Sequence, residues 1–367
     1  MQIQDPVTTT ENCRYCLMCR HVAPVERVMC EEALTPHGWA LTIASVRRGL
    51  LSWNEETVDR LYSAPDGGNS RAHCVTDQPL PEAIAATRAV VAAQHLAPAA
   101  AYEVNDSLRE WGNPYTANAP EAANGQGEVA LFIGDEARYL EPQTVQAALR
   151  LLQAVGVEPV LIGVGRNNGY IASSLGFPGT ASALAQATLD ELAASNARQL
   201  LVLSPGDYFT FNQLYPERLE IPWPAEVTLQ EVTTLLAQKF GEGALNFEDP
   251  ESDRPYAYVD PTHAVRVPTR HDAPRALASA VLRSSARELF WRRERSHPVG
   301  NTALQFTKPL IATGLTNVRL QDAREAGAEL ILTDDPGTLH HLKRHASATN
   351  IAVLGLYELL ADHLAST

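Results

Sequence analysis

Basic residues are scarce in this sequence of 367 residues: 29 lysines and arginines stand against 43 aspartates and glutamates, for a formal net charge of −14. Because nucleic-acid binding requires a concentrated basic surface, this balance argues against nucleic acid as the main partner. Apolar stretches of about 18 residues are also missing, so the sequence predicts no transmembrane segment. The first residues, MQIQDPVTTTE, lack the basic and apolar regions of a signal peptide, and we therefore expect a cytoplasmic protein.

Cysteine is the other scarce residue, and all five cysteines lie at or before residue 74. An odd number in a protein expected to be cytoplasmic argues against a disulfide framework. Cys13, Cys16 and Cys19 form a CxxCxxC run, a spacing that lets three thiolates surround one compact cluster. Zinc sites more often take two close cysteines and two ligands from elsewhere, so the run favours an iron-sulfur cluster over zinc.

The chain divides into a helical, cysteine-containing part over residues 1–96, a linker over residues 97–126 and an α/β part beyond it. The linker prediction rests on a stretch rich in Asn, Pro, Ala and Gly that lacks periodicity. From residue 127 onward, short apolar strands such as EVALFIG and RQLLVLSPG alternate with amphipathic helices such as PQTVQAALRLLQAVG. This alternation predicts parallel sheets whose faces are covered by helices.

The same order of elements recurs, which indicates a duplicated α/β unit with halves over residues 127–250 and 251–367. The strand PYAYVDP matches EVALFIG, and AELILTDDPG matches RQLLVLSPG. The shift that aligns Pro205-Gly206 with Pro336-Gly337 also aligns Gly169 with Gly300. The alternative is that two unrelated α/β stretches look alike, since this alternation is common.

The segment from Cys13 to about Ile84 resembles the two-cluster ferredoxin-like module in the iron-sulfur subunits of glycolate oxidase, anaerobic glycerol-3-phosphate dehydrogenase and heterodisulfide reductase. The stretch EEALTPHGWALTIASVRRGLLSW is similar to the helix between their two cysteine motifs, and LYSAPDGGNSRAHCVTDQPLPEAI to the second motif. The resemblance implies crossed ligation, in which each cluster takes three cysteines from one motif and the last from the other. One implied ligand set is complete: Cys13, Cys16, Cys19 and Cys74. The other set is lost: Ala23, Ala64, Gly67 and Ser70.

The implied cofactor is therefore one [4Fe-4S] cluster on the complete set, with the second cluster site deleted. Cys30 lies outside both sets and is expected to be a half-buried thiol rather than a ligand. Four thiolates leave such a cluster negatively charged, so we expect helix N–H groups and Arg14 or Arg20 nearby to offset the charge. His73, next to Cys74, is either a hydrogen-bond donor near the cluster or a solvent-facing residue.

Residues 128–367 resemble, in framework only, the pair of cysteine-rich domains of the same subunits, each of which carries a CCG motif. FIGDEARY is similar to their FxGCxxxY, and RNNGY lies over CCG. Other residues stand at the cysteine positions of these domains: Asp135, Asn167, Asn168, Ser204, Asp207, Thr262, Pro298, Val299, Asp335 and Thr338. Because no thiolate remains, we expect no disulfide-reducing or noncubane-cluster chemistry. The implied fold is a helical ferredoxin-like N-terminal module followed by a duplicated, degenerate CCG-type α/β domain with parallel sheets.

The resemblance implies an iron-sulfur electron-transfer subunit without substrate chemistry of its own. The cluster would relay single electrons from a flavin dehydrogenase subunit with FAD or FMN to an electron-transfer flavoprotein, a quinone-linked acceptor or another carrier. One alternative is a structural or assembly subunit whose cluster is not redox-active in turnover. Another is an enzyme that uses the pocket between the two α/β halves, although no nucleophile-base pair stands out in the sequence.

Three further patterns each have two interpretations. Several oxygen and imidazole donors either hold a mononuclear metal or are ordinary capping and turn residues: Asp135, Asp207, Asp334, Asp335, His297, His340 and His341. The Pro-Gly turns at 205–206 and 336–337 start helices that either bind an anion or are merely capped. The basic run RSSARELFWRRERSH, residues 283–297, either docks an acidic partner or is a strand with Leu289, Phe290 and Trp291 in the core.

Overall fold

The computed structural model describes residues 6–13, 16–65, 67–118, 125–248, 253–347 and 349–365. The strands, in chain order, are β1 (Val129–Ile133), β2 (Val160–Val164), β3 (Gln199–Val202), β4 (Thr228–Glu231), β5 (Tyr256–Tyr258), β6 (Leu330–Thr333) and β7 (Ala352–Gly355). The α-helices are α1 (Pro24–Met29), α2 (Pro36–Arg47), α3 (Glu55–Tyr62), α4 (Asn69–Ala72), α5 (Leu80–Ala93), α6 (Ala99–Trp111), α7 (Gly134–Tyr139), α8 (Pro142–Ala154), α9 (Tyr170–Leu175), α10 (Pro178–Ser195), α11 (Pro205–Phe209), α12 (Tyr215–Arg218), α13 (Val232–Gly241), α14 (Ala273–Val281), α15 (Leu304–Thr307), α16 (Pro309–Glu325), α17 (Pro336–Ala346) and α18 (Leu356–Asp362). Short 3-10 helices cover Pro6–Glu11, Met18–Val22, Glu32–Leu34, Ala264–Arg266, Pro268–Arg270 and Arg293–Arg295, and a π-helical turn covers Thr210–Leu214. Across these described ranges, no helix combines the length and the apolar character needed to cross a bilayer.

The strands form two separate parallel sheets, as the alternation of strands and helices predicts. The first sheet has the order β2-β1-β3-β4 and the second the order β5-β6-β7. In the first sheet, Leu131 of β1 lies opposite Leu161 of β2 on one side and Leu201 of β3 on the other. Leu131 and Leu201 belong to the same cluster of buried residues as Tyr258 and Leu332 of the second sheet. The two sheets therefore share one apolar core.

The two halves repeat several elements at one constant spacing along the chain. This spacing separates the starts of α8 and α14, of α10 and α16, and of β3 and β6. It also separates Gly169 from Gly300, whose φ angles are 90° and 95°. A Cβ atom would lie 2.7 Å from Ala181 O at Gly169 and 2.6 Å from Ala312 Cα at Gly300. Only glycine combines this backbone conformation with such a close approach, so both positions meet the same requirement.

The second half departs from this repetition at the edge of its sheet. β2 has no counterpart, because residues 291–295, at the matching positions, form no strand and contain the 3-10 helix Arg293–Arg295. The strand interpretation of the basic run is therefore wrong: Leu289 is buried, but Phe290 is 80% exposed. Arg293 has a left-handed φ of 55°, and its backbone N–H donates to Asp260 Oδ2 at 2.8 Å. The backbone here is consequently bent rather than extended.

Helices α2, α3 and α5 form the core of the N-terminal part. Trp39 of α2 and Leu61 of α3 belong to one cluster of buried residues. The buried guanidinium of Arg88, in α5, donates to the backbone oxygens of Leu61, Ala64 and Ser174. Since Ser174 belongs to α9, Arg88 ties the N-terminal part to the first α/β half.

The linker prediction for residues 97–126 is wrong over part of its length. Helix α6 lies inside that stretch and buries Ala101, Val104 and Leu108. These residues follow helical spacing and form one face that packs in the N-terminal cluster. Alanine, which contributes to the linker composition, is also the strongest helix former, so composition alone misleads here.

A buried ion group joins the two halves. The guanidinium of Arg270 is ion-paired with Asp334, and its Nε lies 2.7 Å from Glu231 Oε1, although that N–H does not point at the oxygen. Glu231 ends β4 in the first half, whereas Arg270 and Asp334 belong to the second. Burial raises the pKa of Glu231 to about 7, even though Arg270 lowers it. The two buried carboxyl groups, of Glu231 and Asp334, thus depend on the Arg270 guanidinium to balance their charge.

Candidate functional site

The four cysteines of the complete ligand set lie on two segments that pack against each other: Cys13, Cys16, Cys19 and Cys74. The first three precede or belong to the 3-10 helix Met18–Val22, and the fourth follows α4. The side-chain amide of Asn69, in α4, donates to Val22 O at 2.9 Å and holds the two segments together. All four thiols are free of disulfide bonds.

The thiols are close enough to influence one another's ionisation. Burial raises the pKa of Cys13, and the neighbouring Cys74 and Cys16 raise it further. Burial raises the pKa of Cys19 to about 11, and Cys13 and Cys74 add to this shift. Thiols that repel one another as thiolates need a positive partner before they can ionise together, and a metal centre is such a partner.

Two of the thiols also receive hydrogen bonds that favour the thiolate. Burial opposes the ionisation of Cys74. The hydrogen bond with the Thr76 hydroxyl and that from the backbone N–H of Gln78, which lies 3.5 Å from the sulfur, nevertheless lower the pKa of this thiol. The backbone N–H of His37 acts in the same direction on Cys19. Since His37 is in the first turn of α2, the positive end of a 12-residue helix faces this thiol.

The described residues show no preformed site for a single metal ion. Among the residues that the structure describes, no three cysteine, histidine, aspartate or glutamate side chains form a group that could hold one metal ion. A zinc ion requires its sulfur ligands about 2.3 Å from the metal and hence close to one another. A [4Fe-4S] cluster is larger, and each thiolate binds a different iron. The four cysteines match such a cluster in number and in ligand chemistry.

The four positions of the second ligand set differ in how closely they are surrounded. Ala23 and Ala64 are each 1% exposed and lie among packed side chains. Gly67 is buried, but a Cβ atom there would lie 3.6 Å from Asn69 Oδ1, an ordinary contact distance, and Ser70 is half-buried. Only Ala23 and Ala64 are therefore closely packed.

The remaining predictions around the cysteines have mixed outcomes. Cys30 caps α1 in a left-handed conformation and is exposed, so the expectation of a half-buried thiol is wrong. Arg20 pairs with Glu32 at 2.5 Å. Arg14 lies outside the described residues. His73 is partly buried, and both interpretations of it remain open.

A second candidate site is a polar pocket between the two halves, at the carboxyl ends of β1, β3 and β6. It is lined by Asp135, Ser204 and Asp335, which follow these strands, and by residues of three further segments of the chain. Six of the lining residues stand where the resembled domains have cysteine: Asp135, Asn167, Asn168, Ser204, Asp207 and Asp335. The volume of about 60 Å³ is room for a few water molecules. The tertiary structure thus brings these positions to one place.

Each of the three aspartates in the pocket accepts a hydrogen bond from an asparagine. The amide nitrogens are Asn167 Nδ2, 3.0 Å from Asp135, Asn168 Nδ2, 2.7 Å from Asp207, and Asn301 Nδ2, 3.4 Å from Asp335. These three aspartates are therefore hydrogen-bonded to neighbouring side chains of the protein.

Burial raises the pKa of the pocket acids. The pKa of Asp135 rises to about 6 despite the hydrogen bond from Asn167, and that of Asp207 rises to about 7. Burial also raises the pKa of Asp335 and, most strongly, of Glu136, where Asp335 adds its repulsion. These acids keep their protons at a higher pH than exposed carboxyl groups do.

The other donors considered for a mononuclear metal have structural partners. Asp334 accepts from Tyr258 and Thr233, His340 contacts Glu141, His341 contacts Gln305, and His297 stacks on Trp291 at 4.3 Å. Neither Asp334 nor these histidines line the pocket. The interpretation as capping, turn and packing residues fits these contacts.

Several pocket residues were not predicted from the sequence, among them Glu136, His263 and Asn301. Glu136 follows Asp135 directly, and His263 follows the threonine that stands at a cysteine position. The Pro-Gly turn at 336–337 is the sequence feature related to Glu136, because a Cβ atom on Gly337 would lie 2.5 Å from the Cδ atom of Glu136. Glycine lets this carboxyl group approach the first turn of α17, which Asp335 caps through the Thr338 N–H. Ser204 caps α11 in the same way, so both Pro-Gly helices are capped.

Comparison with known proteins bears on the fold. No protein-family model matches this chain, and no curated protein matches it. A similar solved structure is the crystal structure of a hypothetical protein from Helicobacter pylori, with a TM-score of 0.65 and 10% sequence identity. The match covers 99% of this chain and 77% of that chain. At this identity the likeness concerns the fold alone.

Proposed function

We propose that this chain is an iron-sulfur electron-transfer subunit with one [4Fe-4S] cluster on the four cysteines Cys13, Cys16, Cys19 and Cys74. The observation that carries the proposal is that Cys74 lies close enough to Cys13 and Cys19, on a separate segment of the chain, to raise the pKa of both thiols. A cluster held there would accept and release one electron at a time. The helical N-terminal part is, in this proposal, a ferredoxin-like module whose second cluster site has been lost.

The protein groups around the thiols have a defined role in this proposal. The first turn of α2 and the donors on Cys74 place partial positive charge beside the sulfurs. Such hydrogen bonds stabilise thiolates and raise the reduction potential of a cluster, because they favour the more negative reduced state. The chain thereby holds and tunes the electron carrier without supplying a reacting group of its own.

The α/β part serves as a scaffold in the same proposal. Its two halves, 127–250 and 251–367, are degenerate CCG-type units that arose by duplication, which the constant spacing between matching elements supports. The aspartate-asparagine pairs in the pocket support the loss of cluster chemistry there. The electron donor is a cytoplasmic flavin dehydrogenase subunit with FAD or FMN, and the acceptor is an electron-transfer flavoprotein or a quinone-linked protein.

The first test is iron and sulfide quantitation on protein purified without air, with electron paramagnetic resonance before and after dithionite. We expect about four irons per chain and a signal that appears on reduction. Serine at any of the four ligand positions should remove the cluster, because a cubane needs four thiolates. Cys30→Ser is the matched control and should keep the full iron content, since Cys30 is exposed and lies at the end of α1, outside the ligand set.

The possible outcomes separate the proposal from its alternatives. A Cys30→Ser protein without iron would show that the ligand set is wrong. Zinc in place of iron, or a cluster that no flavoprotein donor reduces, would favour a structural or assembly subunit. Turnover of a substrate by the isolated chain would favour an enzyme that uses the pocket between the halves.

A further inference from the structure

Residues 290–295, which include the segment that breaks the repeat, lie on the surface beside the cysteine segments. They line a groove of about 780 Å³ together with Met18, His21 and His73. Met18 precedes Cys19 and His73 precedes Cys74, so this groove adjoins two of the four candidate ligands. A protein seated in it would lie next to the proposed cluster.

The groove is basic in a protein that is otherwise strongly acidic. Three arginines line it, Arg292, Arg293 and Arg295, against the single acid Glu294, while the whole chain carries −14. Arg293 is paired with Asp272 at 2.8 Å and Arg292 with Glu288 at 3.3 Å. Arg295 is exposed and, among the described residues, has no carboxylate within 4 Å. Arg295 therefore offers a positive charge without a carboxylate partner at this groove, and such a charge attracts negative groups of another protein.

The groove also has an apolar anchor. Phe290 is 80% exposed and packs edge-on against Trp291, with ring centroids 4.8 Å apart. Met18 is exposed on the other side. Exposed aromatic and methionine side chains with arginines beside them are the composition of protein interfaces. The Phe290 ring is therefore available for contact with another protein.

From this combination we propose that the groove formed by residues 290–295, Met18, His21 and His73 docks an acidic one-electron flavoprotein. The inference rests on the proposed function, since the groove matters because of its position beside the cysteines. Because electron transfer slows steeply with distance, a carrier bound in this groove would exchange electrons with the cluster faster than one bound farther from the cysteines. Opposite charge speeds encounter and allows rapid release, which suits a transient redox complex.

The test measures binding of a purified bacterial flavodoxin, an acidic FMN protein, at low and high ionic strength. The double variant Arg292→Glu/Arg295→Glu should bind about ten-fold more weakly at low ionic strength, with the difference shrinking at high salt. Phe290→Ser should weaken binding about five-fold with little dependence on salt. Arg109→Glu is the matched control, because Arg109 has a side chain that is 68% exposed on α6 and lies outside this groove.

The outcomes for docking and for the cluster are independent. Circular dichroism first establishes that each variant is folded. No binding by the parent protein, or equal binding by the parent and the double variant, would overturn the docking inference even if iron content and the dithionite-induced signal are normal. A different result is also possible: the parent protein contains no iron, yet it binds flavodoxin in a salt-dependent way that the double variant loses. That result would support docking in the groove and would refute the proposed function instead.

Discussion

Replacing Asp135 by asparagine should stabilise the folded protein at pH 8. Asp135 is 6% exposed, and burial raises its pKa to about 6, against about 3.9 for an unperturbed aspartate. In the unfolded chain the carboxyl group loses its proton near pH 4, whereas the folded protein keeps it up to about pH 6. The folded state binds more protons in this window, so stability falls as the pH rises through it and stays reduced above it.

The difference in pKa sets the size of the effect. A rise to about 6 corresponds to about 3 kcal/mol of lost stability above pH 6 and to about half of that at pH 5. Asparagine has the same shape and no charge, and its amide oxygen can still accept the hydrogen bond from Asn167. The variant should therefore gain most at pH 8, less at pH 5 and almost nothing near pH 4.

The assay is urea unfolding followed by circular dichroism at pH 5 and pH 8. Asp106→Asn is the matched control, because the Asp106 side chain is 72% exposed on α6 and its charge remains in water. The control should change the free energy of unfolding by less than about 0.5 kcal/mol at either pH. An Asp135→Asn protein that is less stable than the parent at pH 8 would refute the reasoning, since it would mean that a positive group in the pocket offsets the carboxylate.

Two further predictions concern the joint between the halves and the repeated glycine. Arg270→Met should lower the free energy of unfolding by about 3–5 kcal/mol, because it leaves the buried carboxyl groups of Glu231 and Asp334 without their cation. A loss below about 1 kcal/mol in urea unfolding would contradict the importance of this ion group. Gly300→Ala should cost clearly more than Gly156→Ala in the same assay, because both glycines have positive φ but only the first would place a Cβ atom against backbone, 2.6 Å from Ala312 Cα. Equal losses for the two variants would show that the contact is relieved at no cost.

Local sequence pattern predicted the elements whose residues interact with near neighbours along the chain. Parallel strands were predicted at EVALFIG and RQLLVLSPG, where the structure has β1 and β3, because fully buried strands are apolar throughout. Pro205 and Pro336 begin helices, as expected for proline at the first helical position. Helix α6 was missed because its alanines and short apolar face resemble linker composition, and packing against the N-terminal cluster decides that it is a helix.

The sequence by itself determined which residues are available to the candidate sites, and the tertiary structure decided what surrounds them. The cysteine spacing and the resemblance selected Cys13 and Cys74 as members of one ligand set, but only the packing of their two segments lets one thiol affect the other's ionisation. Likewise, Asp135 and Asp207 were recognised individually, whereas their raised pKa values result from burial in a pocket shared by three strands. The sequence also left two interpretations of the basic run, residues 283–297, and the exposure of Phe290 in the structure excludes the one that places this residue in the core. Burial, electrostatic repulsion and hydrogen bonding all depend on neighbours in space, and residues distant in sequence become neighbours only in the folded chain.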